Sequence, residues 1–380
     1  MPKQRNTKPR PPTGRSTAFV PPYPPSWFDR LTGWVDRLPG PPWAFYLVLG
    51  VAVSVAGSAI EWMQGAYPAG TFNPLHVWTL GNFAYLAALI HYLDRSAASA
   101  MASFRPLLAP AASGADPSLQ GEATFARLSY QLTTLPPRPT LLVAISLAAF
   151  AIVTYILQTA TGVAPSYLAG TAGTTFSTAS VLALLIVQNA ISGVLAYHTI
   201  HQLVLISRIY TEHARINIYQ LQPLYALSLP GTFTAIGIIL YIYVWFAASA
   251  SASASAMQAV GLVEIGLSVS FVAIAGATFA LPLLGAHRRL VDEKNRCLTE
   301  ASSRFEAAAE QLFRDLDGQR LGQMDNLNKA LASLEILQTG LRRIPTWPWQ
   351  PGALRGLLAA LFLPVAVWAI QLLLGRLLGT

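Results

Sequence analysis

The stretch from Thr178 to Ile206, TASVLALLIVQNAISGVLAYHTIHQLVLI, runs for 29 residues without an Asp, Glu, Lys or Arg. In an α-helix, about 20 apolar residues rising 1.5 Å each cross the roughly 30 Å hydrocarbon core of a bilayer. This stretch therefore reads as a transmembrane helix. Its polar residues are not scattered, because Gln188, Ser192, Thr199 and Gln202 follow at spacings of 4, 7 and 3, which lines them up on one face. Such a stripe faces protein or water rather than lipid. It is either a helix-packing interface or the wall of a solvated pocket, and in the second case Gln188 and Ser192 are ligand candidates.

Working outward, six more stretches reach the same length: 43–63, 75–93, 140–160, 232–250, 259–285 and 354–374. The whole chain agrees, since 380 residues at 53% hydrophobic and 11% charged, with a mean hydropathy of +0.44, do not describe a soluble protein. The expected fold is all-α: seven transmembrane helices, with the N-terminus cytoplasmic and the C-terminus outside. Basic residues fix that orientation, because cytoplasmic loops retain Lys and Arg. Residues 1–42 carry seven of them, the second loop four, the fourth loop two and the segment from Arg288 to Arg355 eleven, which accounts for 24 of the 25. The intervening loops near 64–74, 161–177 and 251–258 carry none, and Arg376 lies past the last span. Trp43, Trp62 and Trp78 stand at expected interfaces as amphipathic anchors.

Five segments follow along the chain. Residues 1–25 are rich in Pro and basic residues, lack the apolar core of a signal peptide and read as a disordered tail. Over 26–39, Trp27, Phe28, Leu31, Trp34, Val35 and Leu38 recur at helical spacing behind an N-cap at Ser26, so a short helix is expected either in the membrane interface or packed beneath the bundle. With the tail it carries a net +5, which attracts anionic lipid. Residues 43–285 form a six-helix transmembrane bundle whose fourth and sixth spans run on into the cytoplasm. Residues 286–345 form a cytoplasmic helical hairpin turning at Asp317-Gly318, and 354–374 the seventh transmembrane helix. The second loop, through Leu128 to Leu135, is expected to pack into the resulting cytoplasmic helical layer.

Few residues invite chemistry. Glu61 ends the first span, and Glu264 lies about 8 Å inside the sixth at 1.5 Å per residue, where an ionisable group is a functional candidate. Ser268 stands one turn from Glu264, so Glu61, Glu264 and Ser268 join Gln188 and Ser192 as ligand or ion candidates. Against this, Glu264 could pair with Arg376 or stay protonated. Five histidines, His91, His198, His201, His213 and His287, gather near cytoplasmic ends with Asp94 and Glu212 nearby. No HExxH and no Cys cluster accompanies them, so hydrogen bonds to backbone or headgroups are favoured over a metal, and no metal or cofactor is expected. Titration of these histidines near neutrality would make a pH sensor. With one cysteine, Cys297, neither a disulfide framework nor redox chemistry is expected. There is no GxSxG, Walker A or paired intramembrane aspartate, so an enzyme is not expected. A nucleic-acid partner is not expected either. The seventh span lacks the lysine of a retinal Schiff base.

The last helix divides into a cytoplasmic part near 319–343 and a membrane part at 354–374 that ends in Trp368-Ala-Ile-Gln371. In this layout the chain resembles the seven-helix, N-inside ligand-gated cation channels of the insect chemoreceptor type. That family's last helix carries an aromatic–aliphatic–Gln pattern; here the spacing is shorter and the following aromatic is missing. The resemblance implies a homo-oligomer, a tetramer in that family, whose seventh helix lines the pore. Leu357, Leu361, Pro364, Trp368 and Gln371 are then the lining or gate candidates. The other reading is a non-conducting membrane scaffold or signalling protein that works through the hairpin. Composition points to a prokaryotic plasma membrane in either case.

Overall fold

A computed structural model describes residues 19–108, 117–161, 175–252, 262–319, 322, 324–350 and 352–362. They form eleven helices and no strand among the described residues: α1 (Trp27–Val35), α2 (Pro42–Met63), α3 (Pro74–Phe104), α4 (Pro117–Thr133), α5 (Pro137–Ala160), α6 (Thr175–Arg208), α7 (Gln222–Ala226), α8 (Ser228–Ala252), α9 (Leu262–Asp317), α10 (Met324–Arg343) and α11 (Gly352–Phe362). Five of these, α2, α5, α6, α8 and α9, contain stretches long and apolar enough to cross a membrane. The chain is thus an all-helical protein with the helices of a multi-pass membrane protein.

Local signals start the helices. Ser26 caps α1 through a reciprocal pair in which its hydroxyl accepts the Asp29 N–H at 3.2 Å and the Asp29 carboxylate accepts the Ser26 N–H at 2.8 Å. Asn73 caps α3, its Oδ1 accepting from the N–H groups of Leu75 and His76. Proline stands at the first turn of α2, α3 and α5, where no N–H is needed.

The second expected span, α3, is long enough but carries His76, Asn82, His91 and Asp94, and it falls short in apolarity. Its position explains this composition. α2, α6 and α8 all pack on it, so its polar side chains meet protein rather than lipid. At the other extreme, α5 packs mainly against α6 and leaves Leu142, Phe150 and Leu157 exposed. Close approach between helices depends on glycine at two crossings. A Cβ on Gly193 of α6 would come 2.9 Å from the Val143 carbonyl of α5, and one on Gly231 of α8 would come 2.9 Å from the Thr278 carbonyl of α9.

Basic loops mark one end of the bundle, called the basic end below. There α3, α4, α6, α7, α9 and α10 share an apolar core that includes Met101, Phe104, Leu132, Ile206, Tyr210, Leu290 and Leu341. The segment between α3 and α5 packs into this core through Leu128 and Leu132. α9 is the mast of the layer: 56 residues, about 84 Å at 1.5 Å per residue. α10 returns along it.

Polar contacts close the layer. After α6 a π-helical turn, Ile209–His213, buries Tyr210, whose hydroxyl donates to the Leu224 carbonyl at 2.7 Å. From α9, Arg289 donates to the Tyr210 and Thr211 carbonyls, and Lys294 donates to the Arg342 and Ile344 carbonyls at 2.7 and 2.8 Å. Both cations meet unpaired carbonyls at helix C-termini, where positive charge is favoured.

The N-terminal segment differs from the expected free tail. Residues 1–18 lie outside the described residues, but from Tyr23 onward the chain is pinned. The Tyr23 hydroxyl donates to the Thr134 carbonyl, the Tyr130 hydroxyl to the Tyr23 carbonyl, and the Leu135 N–H to the Asp29 carboxylate. α1 itself ends at Val35, shorter than 26–39. Phe28 and Val35 are buried against α2, α3, α5 and α6, while Trp27, Leu31 and Trp34 are exposed on the neighbouring stripe. α1 thus packs on the bundle through one stripe and leaves another open.

Candidate functional site

Two polar regions stand out among the described residues. The first lies in the half of the bundle away from the basic end. Glu61, in the last turn of α2, is 2% exposed and acts electrostatically on His76 of α3, itself 4% exposed. Among the described residues neither ring nitrogen of His76 has a hydrogen-bond partner, and the same is true of Trp78 Nε1, Asn82 Oδ1 and Gln188 Oε1. Around them Trp78, Tyr85 and Tyr241 form a ring cluster with centroids 5.4–6.1 Å apart. The Tyr85 hydroxyl donates to the Gly237 carbonyl at 2.8 Å, and Gln188 Nε2 donates to the Tyr241 hydroxyl at 3.2 Å. Buried polar atoms are rarely left unpaired, so this interior suits water or a small hydrogen-bonding solute.

The second region is the rim at the basic end. The His91 ring joins three elements, with Nδ1 against the Tyr46 hydroxyl of α2 and Nε2 against Asp36, the C-cap of α1, both at 3.1 Å. Arg95 donates to the same Asp36 oxygen at 2.8 Å. On α6, His198 pairs with Asp94 of α3 at 2.8 Å, and His201 meets the Gln131 carbonyl. On α9, the His287 ring stacks on Trp347 at 4.1 Å, Trp347 on Trp349 at 4.6 Å and Trp349 on Phe279 at 5.7 Å; its Nδ1 meets the Thr346 carbonyl at 3.0 Å. No cluster of three or more His, Cys, Asp or Glu that could hold a metal occurs among the described residues. Beyond the spans, burial and neighbouring Tyr130 push the Tyr23 phenol up, and the bond from Arg296 holds the Glu293 carboxyl down.

The candidates read from sequence separate in this fold. Gln188 faces α8 through Tyr241, and Ser192 is half-buried one turn on. Farther along the stripe, Gln202 donates to the Leu132 carbonyl at 3.1 Å, so the stripe packs on protein at both ends. Glu264 and Ser268 belong to α9, but their side chains lie outside the described residues, as does Arg376. Leu357 and Leu361 of α11 pack into a core with Ala235 and Ile239 of α8 and Ala275 and Phe279 of α9. The face left open is Leu358 and Phe362. Pro364, Trp368 and Gln371 lie outside the described residues.

Sequence reasoning passed over His76, Asn82 and Asp36. The available signal was the number of polar residues in an otherwise acceptable span, which marks a helix surrounded by protein. No protein-family model, no curated protein and no solved structure matches this chain.

Proposed function

We propose that this protein crosses a cell membrane, a prokaryotic plasma membrane by its composition, seven times with its N-terminus in the cytoplasm. We propose further that it acts without catalysis, as a membrane scaffold or signalling protein working through the α9–α10 hairpin. The observation that carries the reading is the arm itself. Its base is locked into the layer by Lys294, Ala301 and Leu341, while farther along Phe313, Leu316, Ile336 and Leu337 are 64, 44, 74 and 42% exposed. Apolar side chains held out on a charged arm beyond the membrane are the usual mark of a surface that meets another protein. α3, α6 and α9 run from the bundle into the layer, so a shift between them would move the arm.

The test uses the full chain in cells, with a photo-crosslinking residue in place of Ile336. The expected result is a recurrent adduct with one cytoplasmic protein that disappears in Phe313→Glu at unchanged expression. No adduct above the level obtained from the exposed face of α5 would contradict the reading.

A second reading, an oligomeric ligand-gated cation channel of the kind the sequence resembles, is favoured by the seating of α11. In this reading the lining moves from Leu357 and Leu361, which turn to α8 and α9, to Leu358 and Phe362 on the open face of α11, suited to a hydrophobic gate. In that reading Gln371→Leu changes single-channel conductance in planar bilayers, and a silent or unaltered trace eliminates it.

A further inference from the structure

Between α2 and α8, over the surface of α3, runs an open groove of about 790 Å3, within the roughly 300–1,000 Å3 of ligand pockets. Its floor is small, with Gly81, Ala84 and Ala88, and Val51 and Val244 are two of the side chains on its walls. The polar residues along it turn their donors elsewhere: the Ser54 hydroxyl to the Val77 carbonyl at 3.1 Å, the Tyr85 hydroxyl to the Gly237 carbonyl, and the Tyr46 hydroxyl to His91. What remains is an apolar channel at bilayer depth, rimmed by the exposed Trp43, Leu47 and Val51, with an uncommitted indole N–H at Trp78.

The floor does not end with the groove. On α3 the positions 81, 85, 88, 92 and 95 follow at spacings of 4, 3, 4 and 3 and share a face. The face passes from apolar to the half-exposed Tyr92 and then to Arg95, whose side chain is 58% exposed. Arginines stand at this mouth. Asp36 is bound by both Arg95 and His91, and Arg30 and Arg37 are exposed nearby on and just after α1.

We propose that the groove binds an anionic phospholipid, one acyl chain lying along Gly81, Ala84 and Ala88 and the phosphate resting at Arg95. The order of chemistries along the groove matches that of a lipid read from tail to headgroup. Guanidinium groups suit phosphate by bidentate hydrogen bonding, and a tyrosine at the boundary suits the interfacial zone. The proposal requires only that α2, α3 and α8 span the membrane; it is independent of any role for the hairpin.

The test is native mass spectrometry of the full chain released from nanodiscs of equal phosphatidylglycerol and phosphatidylcholine. The expected spectrum has one phosphatidylglycerol retained per chain. Ala88→Phe, which fills the floor, should lower the retained fraction at least tenfold. Arg95→Gln should keep a retained lipid but lose the preference for phosphatidylglycerol. Should Ala88→Phe unfold below the parent's midpoint, Ala247→Trp on the exposed rim replaces it with the same expected loss. Retention of no lipid, retention unchanged by both filling variants, or a lipid-free dimer that the filling variants dissociate would each overturn the assignment, the last by giving the groove to a second copy.

Discussion

Pro282 has no N–H to offer the Thr278 carbonyl one turn back in α9, and Gly231 of α8 approaches that same carbonyl. The missing donor and the missing side chain fit each other, since the glycine leaves room beside the carbonyl that the proline cannot engage. Gly231→Ala puts a methyl 2.9 Å from a backbone oxygen. It should destabilise the α8–α9 crossing by about 1–3 kcal/mol, read as a lower midpoint in an SDS titration of the detergent-solubilised protein. An unchanged midpoint would mean that the crossing can slide. At the tip of the arm the opposite change is expected. Gln319 holds φ at 53° where the sequence offers Gly318 one position earlier, and a left-handed residue with a Cβ costs roughly 1–2 kcal/mol. Gln319→Gly should slow amide exchange over residues 314–319, and faster exchange would show that the side chain is needed there.

Among the elements, α9 does the most joining, because it supplies Arg289 to the end of α6 and Lys294 to the end of α10. Lys294→Met keeps the aliphatic stem and removes the charge from two carbonyls, an exposed one at Arg342 and a partly buried one at Ile344. The expected loss is about 1–3 kcal/mol, seen as faster exchange over residues 338–344 with the α5–α6 pair unaffected; uniform destabilisation would contradict a local cap. Glu293, held below its ordinary range by Arg296, stabilises α9 above the unfolded carboxylate range and loses that contribution as pH falls through its folded value. Much of this element scale was legible in the sequence. The apolar run past Leu290 to Leu316 foretold the mast, and Leu128 and Leu132 foretold the packed second loop, because both are local periodicities. The joints were not legible. Asp36 meets His91 across 55 positions, and His287 stacks on Trp347 across 60; pairings at such separation leave no periodic trace. The polar stripe on α6 was visible, but its partners, Tyr241 and the Leu132 carbonyl, come from other helices.

The whole molecule is a bundle built around α3, on which α2, α6 and α8 pack, with a second core at the basic end. α3 stands where its histidines and Asn82 meet protein, which is why a helix at the centre of the bundle is less apolar than α2 or α8. The basic residues gather at the end where α1, α4 and the hairpin lie, and the turn between α2 and α3 has none, which is the charge asymmetry behind the proposed orientation. This arrangement is testable without knowing any ligand or partner. In a Cys297→Ser background, single cysteines at Gly318 in the hairpin turn and at Ala69 in the α2–α3 turn are exposed to a membrane-impermeant maleimide in intact cells and again after permeabilisation. With the hairpin in the cytoplasm, the Ala69→Cys protein reacts in intact cells and the Gly318→Cys protein only after permeabilisation. Labelling of the hairpin tip from outside the cell would contradict that placement.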